Sequence, residues 1–439
     1  MEREILLRYM IDKKEQIRRL DVFPRGLEVA LTKRFIIPVV GPRRAGKSFY
    51  LYGLILNKLK IKDEEFIFMN FEDTQLIGAD AGDVSGAASI HEEIYGKKPQ
   101  YIFLDEIQNA RKWQAAVRGL YETGDYYIFL SGSSSKLLSK EIATSLRGRT
   151  LTYSILPLSF REYLNFKKFE AKPFLSTSEE NRMKNNLREY LKSGGFPNIV
   201  FENQLADRFF REYLDLVVFR DVIERHKIKN VFVIKFLVKS LLASFSKQLS
   251  IHSIFNSLKS QGIKVSKKTL YNYSSYLEDA FFAFFVKKFS YSLKESELSV
   301  PKVFINDAGL VNSAASNFST NLGRLMENTV FLELKRMQNK EPSMEICYYK
   351  DRGEVDFVVR KGPKTEQLIQ VCYEIEDART KKRELNSLIE ASKSLKCSNM
   401  LVITWDYEKT EKHKNGKIVF LPLWKWLLGY DNRQNRRKS

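Results

Sequence analysis

Acidic residues are missing where basic ones gather. Residues 225–270 hold ten Lys and Arg and no Asp or Glu, in a chain of 439 residues whose net charge is +20. So one-sided a stretch is a poor fit to an ordinary solvated face and favours an anionic partner, nucleic acid or an acidic lipid surface. Cysteine is scarce as well. Cys347, Cys372 and Cys397 show no CxxC and no Cys/His ligand spacing. That excludes a disulfide framework or a zinc ribbon and predicts a reducing, cytoplasmic compartment. No apolar run reaches the roughly 18 residues of a membrane span, and the opening MEREILLRYMIDKKEQIRRL is too charged for a signal peptide. Internal repeats and long low-complexity segments are absent too. The chain does have apolar residues in quantity, 44% hydrophobic with 13% aromatic. This is enough for real cores in two or three domains of roughly 100–200 residues each.

The first 34 residues read as a charged helical extension. From 35 to 156, short apolar runs (FIIPVV, EEFIFMNFED, QYIFLDEIQ, YYIFLSGSS, RTLTYSIL) alternate with helical stretches. That pattern predicts a mostly parallel sheet covered on both faces. Residues 157–224 read as a helical lid broken by SGGFPN, and 225–310 as a basic helical segment turning to strand. Residues 311–430 read as a second α/β unit, and 431–439 as a basic tail.

GPRRAGKS at 41–48 fits G-x-x-x-x-G-K-S, directly after an apolar strand and before a helical run. Gly41 and Gly46 let the backbone curl around phosphate, Lys47 reaches the β- and γ-phosphates, and Ser48 is the Mg²⁺ ligand. The expected ATP/ADP contacts are therefore Gly41, Pro42, Arg43, Arg44, Ala45, Gly46, Lys47, Ser48 and Phe49, joined by Ser131 at a later strand tip. YIFLDEIQ puts Asp105 at the end of a buried strand to hold the magnesium shell, and Glu106 beside it as general base. With EEFIFMNFED inserted between the two motifs, the order points to P-loop ATPases with a catalytic glutamate. Ser131 and Ser133 share the tip of YYIFLSGSSS, while Ser134 and Ser135 read equally well as helix caps. Arg147 and Arg149 precede the last core strand. Either is placed as an arginine finger toward a neighbouring subunit in a homo-oligomer, and an exposed basic turn would read the same.

GPRRAGKS, NFED at 70–73, FLDEIQ, SGSSS, LRGR, PLSFREY at 157–163 and SGGFP at 193–197 occur in an order that resembles a family of archaeal and bacterial AAA-type ATPases. That family is similar to the STAND and replication-initiator branches of AAA+ proteins. The resemblance implies ATP binding and hydrolysis, with Lys47, Ser48, Asp105 and Glu106 in the usual roles.

SIHSIFNSLKSQG, IKV and SKKTLYNYSSYLED spell helix, turn, helix, with Gly262 ending the first and Ser266 capping the second. Two β-runs follow, as in a winged helix-turn-helix. Lys264, Lys267, Lys268 and Asn272 lie at the start of the second helix, where duplex DNA would be contacted. Such modules also serve as packing or protein-contact domains, with Tyr271 and Tyr273 as core.

PKVFINDAGL at 301–310 and LGRLMENTVFLELKR at 322–336 extend the resemblance to a C-terminal domain similar to PD-(D/E)xK (restriction-endonuclease-like) nucleases. The positions that match its metal site are Glu327, Asp356, Gln370 and Cys372. Strand alternation puts Gln370 and Cys372 on one face, but a neutral thiol supplies neither charge nor a strong donor. Lys381 or Lys382 on the next helix is a candidate replacement for the missing lysine; Glu374, though in phase, adds the wrong charge. The site reads as degenerate, holding a metal weakly or gripping a phosphate backbone, with Asp356 and Glu354 as plain strand-end residues the bland alternative. The whole predicts an ATP-hydrolysing AAA-type protein acting on DNA. The alternatives are an ATP switch that binds a protein partner and an ATP-controlled nuclease. Arg220 and Asp221 in VVFRDVIER read as nucleotide sensors or as an ion pair.

Overall fold

Five short apolar segments build the first sheet, each long enough for one buried strand. The computed structural model describes residues 1–133, 148–172, 175–314, 321–375, 377–414 and 416–430. Ser134, Ser135, Arg147 and the basic tail lie outside them. The chain divides into two units, Met1–Leu156 with Asp279–Phe281, and Pro157–Glu278 with Phe282–Ser439.

In the first unit, β1 (Ile37–Val40), β2 (Phe66–Asn70), β3 (Tyr101–Asp105), β4 (Tyr127–Gly132) and β5 (Tyr153–Ser154) form one sheet in the order β2-β3-β4-β1-β5. Every pairing is parallel. The expected parallel sheet is present, and β4 separates the two motif strands β1 and β3. The side chains of β1–β4 are largely buried on both faces and those of β5 half-buried, with Phe66, Phe68, Phe103 and Phe129 in the core and the Phe103 and Phe129 rings stacked at 4.9 Å. The connecting helices include α2 (Lys47–Gly53), α3 (Ala81–Tyr95) and α4 (Trp113–Glu122). The amino-terminal helix α1 (Arg3–Arg18) packs on β2 and α3. Its Tyr9 and Lys13 both bond to Asp73 at 2.8 Å, which gives the NFED string a structural duty.

The second unit begins with helices α5 (Phe160–Phe166), α6 (Thr177–Ser193) and α7 (Ala206–Leu216), followed by a π-helical turn at Val217–Glu224 that holds Arg220 and the buried Asp221. Next come α8 (Val231–Ala243), β6 (Lys247–Gln248), α9 (Ile251–Ser260), α10 (Lys267–Asp279), β7 (Ala283–Val286) and β8 (Lys302–Ile305). The three strands make an antiparallel sheet ordered β6-β8-β7. Ser266 caps α10, accepting from Thr269 N–H at 3.0 Å, and Gly262 takes φ 75 just after α9.

Then follow α11 (Ala308–Ala314), α12 (Leu322–Lys340), β9 (Met344–Lys350), β10 (Glu354–Lys361), β11 (Lys364–Cys372), α13 (Ala378–Ser394), β12 (Asn399–Thr404), β13 (Lys409–His413) and β14 (Gly416–Pro422). They build a mixed six-stranded sheet, β13-β14-β12-β11-β10-β9. Among the described residues no helix is long and apolar enough to cross a membrane.

Two sequence strings from distant parts of the second unit meet in its core. Gly194 ends α6 at φ 81, ψ −170, and Asp307 fills the space where a side chain would stand. The Asp307 carboxylate accepts from Gly195 N–H at 2.7 Å and Gly309 N–H at 2.8 Å. Burial pushes its pKa up to about 7 against the pull of these N–H groups.

Candidate functional site

After Val40 the chain turns through residues 41–46 into α2. A Cβ on Gly41 would lie 2.0 Å from the Ile155 carbonyl oxygen, and Gly46 sits at φ 89. Both positions therefore require glycine. Arg44 also takes the left-handed region, at φ 60. Ala45 is fully buried; its N–H donates to the Pro42 carbonyl, and its own carbonyl accepts from Arg25 at 2.7 Å. The same guanidinium reaches the Leu156 carbonyl at 2.8 Å, so the loop is braced by protein alone. Arg43 pairs with Glu72 at 3.1 Å, and Phe49 is half exposed with its ring edge-on to Tyr52.

Sheet register delivers the remaining groups to the same edge. Val39 pairs with Ser131, Val40 with Gly132, and Leu104 with Leu130. Asp105, Glu106, Ser131 and Ser133 therefore stand beside the loop that follows β1, at the C-terminal ends of parallel strands where an open α/β sheet takes its ligand. All four are buried. Lys47 is buried too, its Nζ 3.2 Å from the Pro42 carbonyl and 3.3 Å from Glu106 Oε1. Ser131 hydrogen-bonds to the Asp105 carboxylate, Ser48 stands near enough to favour its charged form, and Glu106 N–H donates to Ser131 Oγ at 3.2 Å. Glu106 adopts φ 47, ψ 44, rare for a residue with a side chain and typical of sites where geometry outranks comfort.

Burial, then the neighbouring Glu106, pushes the Asp105 carboxyl up to about 6. Burial also raises Glu106, but Lys47, Gln108 and Arg43 outweigh it and leave that carboxyl below its ordinary value. Asp105 Oδ2 and Ser133 Oγ are buried without a protein partner. Arg149 is elsewhere. Its carbonyl accepts from Ile36 N–H, at the opposite end of β1 from the loop, and its guanidinium pairs with Glu122 at 3.2 Å.

Lys264, Lys267, Lys268 and Asn272 are all exposed around the start of α10. The two tyrosines there part company, with Tyr273 buried and Tyr271 60% exposed.

Glu327 of α12 comes together with Glu354 and Asp356 of β10, and the cation among them is neither Lys381 nor Lys382. Lys381 bonds to Tyr407 and Glu411 instead. The cation is Lys302 of β8, only 2% exposed, with Nζ 2.7 Å from Glu354, 2.9 Å from Asp356 and 3.0 Å from Glu327. Glu354 is thus a member of the cluster rather than a plain strand-end residue. Gln370 supports it from behind, accepting from Asp356 N–H at 3.3 Å and donating to Glu384 at 2.6 Å. Cys372 belongs to the apolar core under α13, with Leu388 and Val402, and burial pushes its thiol up to about 11. Burial, then Asp356 beside it, pushes the Glu327 carboxyl up to about 8. Among the described residues no group of three or more His, Cys, Asp or Glu is set to hold a metal ion.

Lys302 was missed because it lies 54 residues before Asp356. The signal available was a lysine in the apolar string PKVFIND, in phase with Phe304. Phe304 stacks on Phe331 of α12 at 4.4 Å and lies 5.5 Å from Phe357 of β10, so alternation turns Lys302 toward the same neighbours.

Residues 33–164 match the model of an AAA domain, residues 184–321 a domain of unknown function (DUF8612), and residues 322–426 another (DUF4143). The uncharacterized protein MJ1544 of Methanocaldococcus jannaschii is 39% identical over 98% of this chain and 97% of its own length. An uncharacterized protein of Haemophilus influenzae is 30% identical over 86% of this chain and 91% of its own. Among solved structures, the Aeropyrum pernix Orc1 protein in complex with DNA aligns over 72% of this chain and 92% of that one. It does so at 12% identity and a TM-score of 0.28, a likeness too faint to carry an argument. The chain therefore belongs to one family with MJ1544 and the Haemophilus influenzae protein, and carries an AAA domain at residues 33–164.

Proposed function

We propose that the chain binds and hydrolyses ATP and uses the cycle on duplex DNA. The observation that carries the ATPase reading is the convergence of Lys47, Ser48, Asp105, Glu106 and Ser131 on one sheet edge, with Asp105 Oδ2 left unpartnered in the interior. A carboxylate oxygen beside a hydroxyl is a hard donor pair that fits Mg²⁺, which keeps most of its waters and takes few protein ligands. Bound with the nucleotide, Mg²⁺ neutralises charge on the phosphate oxygens. Backbone N–H groups of the 41–48 loop, Pro42 excepted, would surround the phosphates, and Lys47 would leave Glu106 to meet them. Glu106, held below its ordinary pKa, is ready to accept a proton from the attacking water. Ser131 fixes the Asp105 carboxylate and the Glu106 backbone together. Arg149, turned away from its own chain's loop, serves a neighbouring copy in an oligomer.

The DNA reading rests on the second unit. Its order of helix, strand, helix, helix, strand, short helix, strand over residues 231–305 supports a winged helix with a helical insertion between its last two strands. The exposed Lys264, Lys267, Lys268, Tyr271 and Asn272 form its contact surface. The succession of α12, β9, β10, β11, α13 and β12 supports a nuclease-like ancestry for the C-terminal domain, used here for structure or binding rather than cleavage. The deciding experiment measures ATP turnover with no DNA and with single-stranded, duplex and junction DNA, then runs the strands on a denaturing gel. Turnover stimulated by duplex with intact strands is the expected result, and Lys47→Ala abolishes it. Turnover indifferent to every DNA defeats the DNA reading, and shortened strands defeat the degenerate-site reading.

A further inference from the structure

Lysine ammonium has three hydrogens to place, and Lys302 Nζ stands 2.7–3.0 Å from one carboxylate oxygen each of Glu327, Glu354 and Asp356, donating hydrogen bonds to Glu327 and Asp356 and ion-pairing with Glu354. A buried ammonium is costly unless its charge is matched, and here three carboxylates surround it. The second oxygen of Asp356 is taken by Val371 N–H at 2.9 Å, and Glu354 also faces Lys350 at 3.4 Å. One oxygen of each carboxylate is therefore held by the ammonium, and Asp356 and Glu354 have their second oxygens engaged by the protein as well, without any added ion. A divalent cation needs the same oxygens at roughly 2.0–2.5 Å, so ion and ammonium exclude each other. Lys302 also has no easy way out. It is anchored in β8 between β6 and β7, with Phe304 of the same face clamped against α12 and β10.

We propose that Lys302 is the resident cation of the C-terminal acidic site, its tethered ammonium standing where a divalent metal would otherwise bind. The wild-type domain holds no divalent ion there, and removing the lysine charge turns Glu327, Glu354 and Asp356 into a metal site. The tethered cation also explains why Cys372 is tolerated, since the carboxylates have their positive partner from another strand. The inference stands whether or not the first unit hydrolyses ATP.

The test uses the full chain, free of nucleotide, with Mn²⁺ alone as probe at up to about 1 mM, in the range of weak carboxylate sites. Free Mn²⁺ is counted by electron paramagnetic resonance in wild type, Asp356→Asn, Lys302→Met and the Lys302→Met/Asp356→Asn double variant. Wild type and Asp356→Asn are expected to bind alike. Lys302→Met is expected to gain one Mn²⁺ per chain that the double variant loses. Mn²⁺ released from wild type by Asp356→Asn alone would overturn the proposal, as would no gain in Lys302→Met. If Lys302→Met is unfolded without metal, recovery of its circular dichroism on adding Mn²⁺ supports the proposal, and failure to recover overturns it.

Discussion

Replacing Glu106 with Gln should tighten ATP binding while it stops turnover. In the nucleotide-free protein Lys47 is not waiting open. Its Nζ is 3.3 Å from Glu106 Oε1, with side chains only 4% and 8% exposed. At an effective dielectric of about 20 the raw attraction is ~5 kcal/mol, but desolvation consumes much of it. Hydrogen bonds to charged groups survive at ~1.5–3 kcal/mol net. Phosphate must displace this contact before Lys47 can serve it. A glutamine keeps an acceptor in place and removes the charge, so the free state should lose ~1.4 kcal/mol of hold on Lys47, a tenfold gain in ATP affinity. Loss of the general base should lower turnover by ~10²–10⁴-fold. Titration with a fluorescent ATP analogue reads the first quantity and phosphate release the second. The opposite signs separate this outcome from simple damage to the fold. Unchanged or weaker binding in Glu106→Gln would refute the competition, and retained turnover would remove Glu106 as base.

Gly194→Ala should destabilise the second unit by ~3–5 kcal/mol, because a Cβ would lie 1.7 Å from Asp307 Oδ1 at a φ/ψ only glycine takes readily. That figure joins backbone strain to a weakened hydrogen bond; an unfolding free energy from urea titration within ~1 kcal/mol of wild type would contradict it. Asp307 binds its proton up to about pH 7 when folded and only to about 4 when unfolded, so the native state holds the extra proton between those values. Its contribution therefore makes stability fall as pH rises from about 4 to 7, by at most ~1.4 kcal/mol per unit, and level off above. Thermal melts across that window, compared with Asp307→Ala, should show the slope reduced in the variant by this one group's share, the raised Asp105 and Glu327 carboxyls keeping theirs; an unchanged slope would refute the assignment. Reversing Lys264, Lys267 and Lys268 to Glu should reduce duplex binding more than ~10-fold and flatten its salt dependence by roughly three phosphate contacts. An unchanged salt slope in a fluorescence anisotropy titration would take those lysines off the DNA.

The ATP site was legible because its parts are local. GPRRAGKS carries its own strand, turn and helix, and FLDEIQ its own strand end, so chain order alone sets both on the edge that sheet register joins. The π-helical turn at Val217–Glu224 had no such mark. What failed were inferences that needed a partner from far along the chain. SGGFP and PKVFINDAGL were readable as strings, yet nothing in either says that Asp307 occupies the space glycine leaves at 194. In the same way QLIQVCYE shows a cation gone from its strand, and chain order offers Lys381 and Lys382 as the nearby substitutes. Proximity in sequence is a weak guide to a buried charge, because what fixes such a charge is the cost of leaving it unmatched. That cost makes a better search rule. A lysine alternating with core aromatics on an apolar strand must have acids waiting for it, and three acids without a neighbouring base must have a cation from elsewhere. Lys302 and the Glu327, Glu354 and Asp356 cluster are the two halves of that requirement, met by one contact across strands that the chain writes 54 residues apart.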